Sequence, residues 1–310
     1  MATLLLTHDA VLDHATPSGH PERADRIRAV NKVLAQEMFA DLVREEAPRG
    51  DMADVARVHP QAYVDRILAA APQDGDRAVP LDPDTWMSPG SLEAALRCVG
   101  AGTRAVDAVM AGEADNAFCA MRPPGHHAET SRAMGFCLFN SAAIAAHHAR
   151  AAHGLERVAV IDFDVHHGNG TQDIFWNDHD LFYGSTHQMP LYPGTGARSE
   201  TGAGNVFNAP LSPGVGGDVF RDAMDSVVLP ALDTMAPDLI IISAGFDAHR
   251  DDPLGGLELT EQDYAWITGR IMEIADRRCK GRIVSLLEGG YDLRALAMSA
   301  AVHVRTLMVG

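Results

Sequence analysis

Val158-Ala159-Val160-Ile161-Asp162-Phe163-Asp164-Val165-His166-His167-Gly168-Asn169-Gly170 is the stretch that decides the fold. Its first four residues are apolar and mostly β-branched, with no polar face. A strand buried on both sides of a parallel sheet reads this way. The run then changes abruptly to acids and imidazoles. Asp162, Asp164 and His166 are spaced by two, so extended backbone points all three the same way. Two carboxylates and an imidazole at the end of a core strand are costly unless something positive neutralises them, and a metal does that. Gly168 and Gly170 follow at once and let the backbone approach closely.

Three other segments repeat the pattern of an apolar run ending in polar groups. Residues 239–243 lead through Ala244-Gly245-Phe246 to Asp247. Residues 117–121 lead to Arg122-Pro123-Pro124-Gly125-His126-His127. Residues 283–287 lead to Glu288-Gly289-Gly290-Tyr291. The carboxyl edge of an open α/β sheet is where sites form. Asp164, His166 and Asp247 offer two oxygens and one nitrogen, a set that suits Zn²⁺ with a position left for water. Fe²⁺ is also compatible with such a set. Asp247 taken alone reads as a capping acid. The tandem His126-His127 is poor core filler and suits proton handling, with one neutral and one charged imidazole. Tyr291, after two glycines, reads either as a donor to a developing oxyanion or as an aromatic packed on the sheet.

The remaining chain alternates short apolar runs (3–7 and 181–185 besides those above) with amphipathic stretches at 21–38, 62–71, 91–111, 140–152, 219–234, 261–278 and 293–308. This alternation predicts an α/β fold, a mostly parallel sheet with helices on both faces. With no linker or internal repeat, residues 1–310 read as one domain. Long loops at 73–89, 122–135, 188–213 and 248–260 are rich in Gly, Pro and Asp, and such loops are more often functional than idle.

The chain has 310 residues with 25 basic and 42 acidic side chains, a net charge of −17. That balance argues against a nucleic-acid surface. The four cysteines, Cys98, Cys119, Cys137 and Cys279, form no CxxC pair and demand no disulfide, as in a reducing compartment. The N-terminus lacks a basic segment and a long apolar core, so it reads as a strand and not a signal peptide. No run is long enough to span a membrane. A cytoplasmic protein is expected. Lone histidines (His8, His14, His59, His153, His179, His303) are read as structural, and His147-His148 as partly exposed and inert.

Taken together these motifs resemble the histone deacetylase family, within it the bacterial class II-like deacetylases and acetylpolyamine amidohydrolases. The resemblance also rests on His20-Pro21-Glu22-Arg23, Gly135-Phe136-Cys137 and Tyr192-Pro193-Gly194-Thr195-Gly196. It implies an arginase/deacetylase fold with a central eight-stranded sheet, and zinc on Asp164, His166 and Asp247. It implies His127 as general base, oriented by Asn169, and His126 as its electrostatic partner, oriented by Asp162. Where some relatives carry Asp, Asn169 is a neutral amide and leaves His127 less basic. Tyr291 would polarise the acetyl carbonyl, and the Gly135 carbonyl would accept the substrate N–H. Phe136 and Tyr192 would flank a narrow tunnel, and Arg23 would line an inner channel for acetate. A structural K⁺ is implied on Asp162, Asp164, His166, Ser185 and Thr186. A second cation is implied near Phe175, Asp178 and Leu181. Asp84 or Thr85 would meet the substrate at the rim. Leu254 stands where polyamine-preferring relatives often place a glutamate.

The expected activity is therefore removal of acetyl groups from N-acetylated amines such as acetyl-lysine, releasing acetate. The alternative within this family is hydrolysis of small acetylated polyamines, which Leu254 disfavours. An arginase-like ureohydrolase would need an Asp-Ala-His-x-Asp run for a two-metal cluster, and that run is absent. A non-catalytic acyl binder would be expected to lack a ligand or Tyr291, and all of these are present. A homo-oligomer is allowed, though no pattern points to one.

Overall fold

The computed structural model describes residues 1–310. Eight strands build one sheet: β1 (Thr3–Thr7), β2 (Val43–Glu46), β3 (Asn116–Cys119), β4 (Val158–Asp162), β5 (Leu181–Gln188), β6 (Val206–Leu211), β7 (Leu239–Ala244) and β8 (Ile283–Leu287). Their order is β2-β1-β3-β8-β7-β4-β5-β6, and every neighbouring pair is parallel. The central strands β3, β8, β7 and β4 are buried along their whole length, which explains their unbroken apolar sequences.

Helices cover both faces. The ones that matter here are α1 (Asp25–Leu34), α2 (Ser91–Ala111), α3 (Ser141–His153), α4 (Asn169–Phe175), α5 (Glu261–Cys279) and α6 (Leu293–Val309). Their ends carry the expected signals. The Asn140 side chain accepts from the Ala143 N–H ahead of α3, and Gly154 ends it at φ +67°. Thr260 and Asp263 form a reciprocal capping box on α5. Asp292 caps α6 through two backbone N–H groups. No helix is long and apolar enough to cross a membrane. All four cysteines are buried free thiols.

The structure departs from the sequence reading in the short helices at Met52–Ala56 and Asn169–Phe175, which were not expected, and in four larger features. The helix expected over 21–38 is shorter, because Glu22 leaves the helical path to pair inside the protein. Strand β2 (Val-Arg-Glu-Glu) was hidden by its polarity; it is an edge strand bonded only to β1. Strand β6 lies inside the expected loop 188–213, and it too is an edge, the place where a strand tolerates Pro210. The helix expected over 219–234 is one helical path with a π turn at Met224–Val228, just before Pro230. A proline lacks the N–H that would continue the regular ladder.

Candidate active site

The carboxyl ends of β3, β4, β7 and β8 converge, since the strands run side by side in register. Asp162 pairs with Ser243 of β7 and with Ser185 of β5. Beyond these tips Asp164, His166 and Asp247 place one ligand atom each within 4.8 Å of one another. His166 Nδ1 lies 3.1 Å from Asp164 Oδ1 and 3.0 Å from Asp247 Oδ2. Burial opposes charge on His166, but the two carboxylates outweigh it and raise the imidazole to about 10. Burial and the nearby Asp164 push the Asp247 carboxyl up to about 7. The cluster thus lacks positive charge, the charge that a divalent cation supplies. The nitrogen-and-oxygen donor set fits zinc and does not exclude ferrous iron.

Two glycines make room for the cluster. A Cβ on Gly289 would stand 2.2 Å from Asp247 Oδ2, and one on Gly245 would stand 2.1 Å from Asp164 Oδ2. The Gly289 N–H also donates to Asp164 Oδ2 at 2.8 Å.

The tandem histidines lie beside the cluster with ring centroids 4.0 Å apart. They are held by different partners. His126 Nδ1 bonds Asp162 Oδ2 at 2.9 Å, and His127 Nδ1 bonds Asn169 Oδ1 at 2.8 Å. Burial works against charge on His126, but Asp164, Asp162 and Glu288 prevail and hold it well above the ordinary histidine range. Burial, then the charges of His126 and His166, hold His127 well below that range. The surroundings favour charge on His126 and disfavour it on His127. Tyr183 donates to Asp162 at 3.2 Å and accepts the Gly168 N–H at 2.9 Å, which fixes the acid. The Asn169 amide is fixed by donating to Glu129 at 2.7 Å.

Above these groups lies a pocket of about 260 Å³ lined by Asp84, His127, Gly135, Phe136, His166, Leu191, Tyr192, Leu254 and Tyr291. All the tunnel and rim residues singled out in the sequence except Arg23 and Thr85 line it. Phe136 stands edge-on to Tyr291 at 5.9 Å, and Tyr192 edge-on to His127 at 5.2 Å. Gly135 and Phe136 both adopt positive φ, +55° and +69°. At Gly135 only glycine fits, because a Cβ would meet the His127 ring at 2.3 Å. Thr85 is buried behind the wall, where its hydroxyl accepts the Phe136 N–H. Tyr291 is half-buried at the pocket wall; loss of solvent around its phenol raises it well above the usual range, and no group of the chain bonds its hydroxyl.

Arg23 is a correction. It lies at the surface, paired with Asp25. The buried guanidinium near the site is Arg26. It stands 4.9 Å from the Tyr291 ring centroid, donates to the carbonyls of Gly290 and Glu288, and pairs with Glu22. Glu22 also holds buried Arg122 through two contacts of 2.6 Å.

Sequence reasoning gave no role to three further groups. Glu288 accepts the N–H groups of Gly125 and His126 and the Ser243 hydroxyl. Asp252 accepts the N–H of Tyr291 at 2.6 Å and that of Leu254 at 2.9 Å, so it sets two wall residues at once. His20 bonds the Asp84 carbonyl at 3.0 Å and meets the edge of Phe136. Glu288 had a sequence signal, an acid ending a core strand, and His20 stood in the His20-Pro21-Glu22-Arg23 motif without a role assigned. His148, expected to be inert, contacts Asp54 and Asp107.

A second cation was expected near Phe175, Asp178 and Leu181. The three carbonyls converge on the Nδ2 of Asn205, at 2.9, 3.0 and 2.6 Å, so an amide fills that point.

A sequence model of the histone deacetylase domain matches residues 20–307. A histone deacetylase-like amidohydrolase of Pseudomonas aeruginosa is 41% identical over 281 residues, covering 89% of this chain and 73% of that protein. A probable deacetylase of Archaeoglobus fulgidus is 37% identical over 317 residues, covering 100% of this chain and 87% of its own length. The crystal structure of the HDA15 HD domain superimposes with a TM-score of 0.91 at 36% identity, covering 98% of this chain and 88% of that one.

Proposed function

The chain belongs to the histone deacetylase family, and on that premise we propose that it is a zinc-dependent amidohydrolase of N-acetylated amines such as acetyl-lysine, acting as one catalytic domain over residues 1–310. The observation that carries this reading is the shared pocket: His127, His166 and Tyr291 line the same narrow space. Asp164, His166 and Asp247 would hold the metal, zinc or ferrous iron. When bound, it would acidify a water and polarise the acyl carbonyl.

The chain's own groups supply the rest. His127 uses Nδ1 on Asn169, which leaves Nε2 free to take the proton of the attacking water. Its neutrality in the resting site suits a base. His126, charged and anchored on Asp162, stabilises negative charge as it develops beside it. The Tyr291 hydroxyl donates to the developing oxyanion. The Gly135 carbonyl accepts the substrate N–H, and Phe136 with Tyr192 holds an extended aliphatic stem between aromatic walls. The proton on His127 then passes to the leaving amine. Arg26, behind Tyr291, takes the inner position expected of Arg23.

A structural potassium ion would be held by oxygens of Asp162, Asp164, His166, Ser185 and Thr186. Support comes from the register of β4 with β5, which sets Asp162 opposite Ser185 and brings an all-oxygen set onto adjacent strand tips. At the mouth, Leu191 and Leu254 are apolar and Asp84 is the only acid lining the pocket. A cationic polyamine would find little there, so acetyl-lysine peptides should be preferred. The test is hydrolysis of an acetyl-lysine peptide, acetylputrescine and acetylspermidine by the zinc-loaded protein. Loss of turnover in His127→Ala supports the mechanism. A clear preference for the polyamines overturns the substrate order.

A further inference from the structure

We infer that the chain carries a second, peripheral zinc site formed by Asp107, His148 and His153, with Asp54 orienting His148. Asp107 lies near the end of α2, and the two histidines lie near the end of α3. One ligand atom from each falls within 4.8 Å of the others. Both Nε2 atoms aim at a single oxygen, Asp107 Oδ1, at 2.8 Å from His148 and 2.7 Å from His153. The convergence comes from two helices and not from one flexible loop.

Hydrogen-bond accounting points to a cation at this spot. His148 faces a carboxylate at each ring nitrogen, Asp54 Oδ1 at 3.2 Å from Nδ1 and Asp107 Oδ1 from Nε2. Satisfying both carboxylates takes a positive charge on the ring, either a second ring proton or a bound cation, because an imidazole without one donates a single proton. Its other nitrogen would then set a lone pair against a carboxylate, unless a cation stands between them. A metal on Nε2, with Nδ1–H donated to Asp54, is the usual carboxylate–histidine–metal arrangement. Asp54 is itself anchored by Arg57. Two imidazoles and a carboxylate match the preference of zinc, and partial exposure leaves a place for water. Tetrahedral zinc separates its donors by about 3.3 Å, so these side chains part by about half an ångström on binding.

The site is remote from the pocket. Helices α2 and α3 run back against the strands and feed into β3 and β4, so their ends lie at the opposite edge of the sheet. The bound ion would fasten α2 to α3 and leave the chemistry untouched.

The test titrates Zn²⁺ into the metal-stripped full chain against a chromophoric chelator. Wild type should bind two equivalents. His153→Ala and Asp107→Ala should each bind one, with turnover at one equivalent unchanged. Asp54→Ala should keep the second equivalent with affinity lowered by about 10–100-fold. Asp247→Ala should bind one equivalent, and that one should vanish when His153→Ala is added, which reads the two centres separately. Excess zinc should raise the melting temperature of wild type but not of His153→Ala. A single equivalent in wild type, or a second equivalent that survives in both His153→Ala and Asp107→Ala, overturns the assignment.

Discussion

His127 bonds the amide oxygen of Asn169 at 2.8 Å, while its neighbour His126 bonds a carboxylate. The difference separates the two imidazoles electrically, although their rings are in contact. Asn169→Asp would remove it. A second carboxylate strengthens the proton affinity of His127, so the base stays protonated to higher pH. The acidic limb of the kcat/KM profile should move upward by about one pH unit. A limb that stays in place would sink the assignment of His127 as the base.

Tyr291→Phe deletes a hydroxyl that makes no bond within the chain, so stability should change by less than about 0.5 kcal/mol. Turnover should fall by about 10²–10³-fold with little change in KM, the pattern of a contact made mainly in the transition state. Steady-state kinetics with a melting curve on the same sample checks both halves.

Arg26 and Arg23 should behave in opposite ways. Arg26→Ala strips the carbonyls of Gly290 and Glu288 of a buried donor and leaves Glu22 with Arg122 as its one guanidinium partner, at a cost on the order of 3 kcal/mol. It also frees the Gly290–Tyr291 backbone, so turnover falls too. Arg23→Ala, at the surface, should leave both unchanged within about 0.5 kcal/mol. Urea unfolding midpoints and turnover measured on the pair decide it.

Gly289→Ala would drive a methyl into the carboxylates of Asp164 and Asp247, the proposed metal ligands. The purified protein should hold far less zinc at Asp164, His166 and Asp247, with its circular dichroism unchanged. Elemental analysis with a zinc-binding curve reads this directly. Full zinc content in the variant would contradict the placement of the metal.

Acid should loosen the fold through buried histidines away from the chemistry. Burial lowers His59 and His187 to about 4 and His303 to about 3, from an ordinary value of 6.5. His59 illustrates the cause: its Nε2 accepts the Asn140 N–H and so cannot carry a proton. These groups are neutral in the folded chain, whereas the unfolded chain takes up protons below about pH 6.5. Stability is therefore full above that value and falls as the pH drops toward 4, by up to about 3 kcal/mol for each group. Urea midpoints at pH 7.5, 5.5 and 4.5 should descend in that order, and His303→Gln should flatten the slope by one proton's share.

The sheet and its polar tips were legible because a strand buried on both faces leaves an unmistakable apolar run, and Asp162, Asp164 and His166 break that run on one side. The wall residues Phe136 and Tyr192 came from the motif resemblance and not from periodicity. Arg26 was hidden because a charge on an amphipathic helix reads as solvated. Only tertiary packing shows that this one turns inward toward Glu22 and Gly290. Glu129 and Asp252 act on the site from loops, through hydrogen bonds to residues far along the chain, and no spacing records such bonds. Both missed strands are edges: β2 was hidden by its polar residues, and β6 by Asn208 and Pro210, which break an otherwise apolar run.

One carboxylate ties the centre together. Glu288 joins residues 125, 126 and 243. A fragment ending at residue 237 would contain both imidazoles proposed for catalysis and two of the three proposed metal ligands, yet it would lack the clasp that sets the imidazole loop against its neighbours. The catalytic alignment is thus a property of the closed sheet. It cannot be transplanted motif by motif onto another scaffold, nor rebuilt from half of the polypeptide.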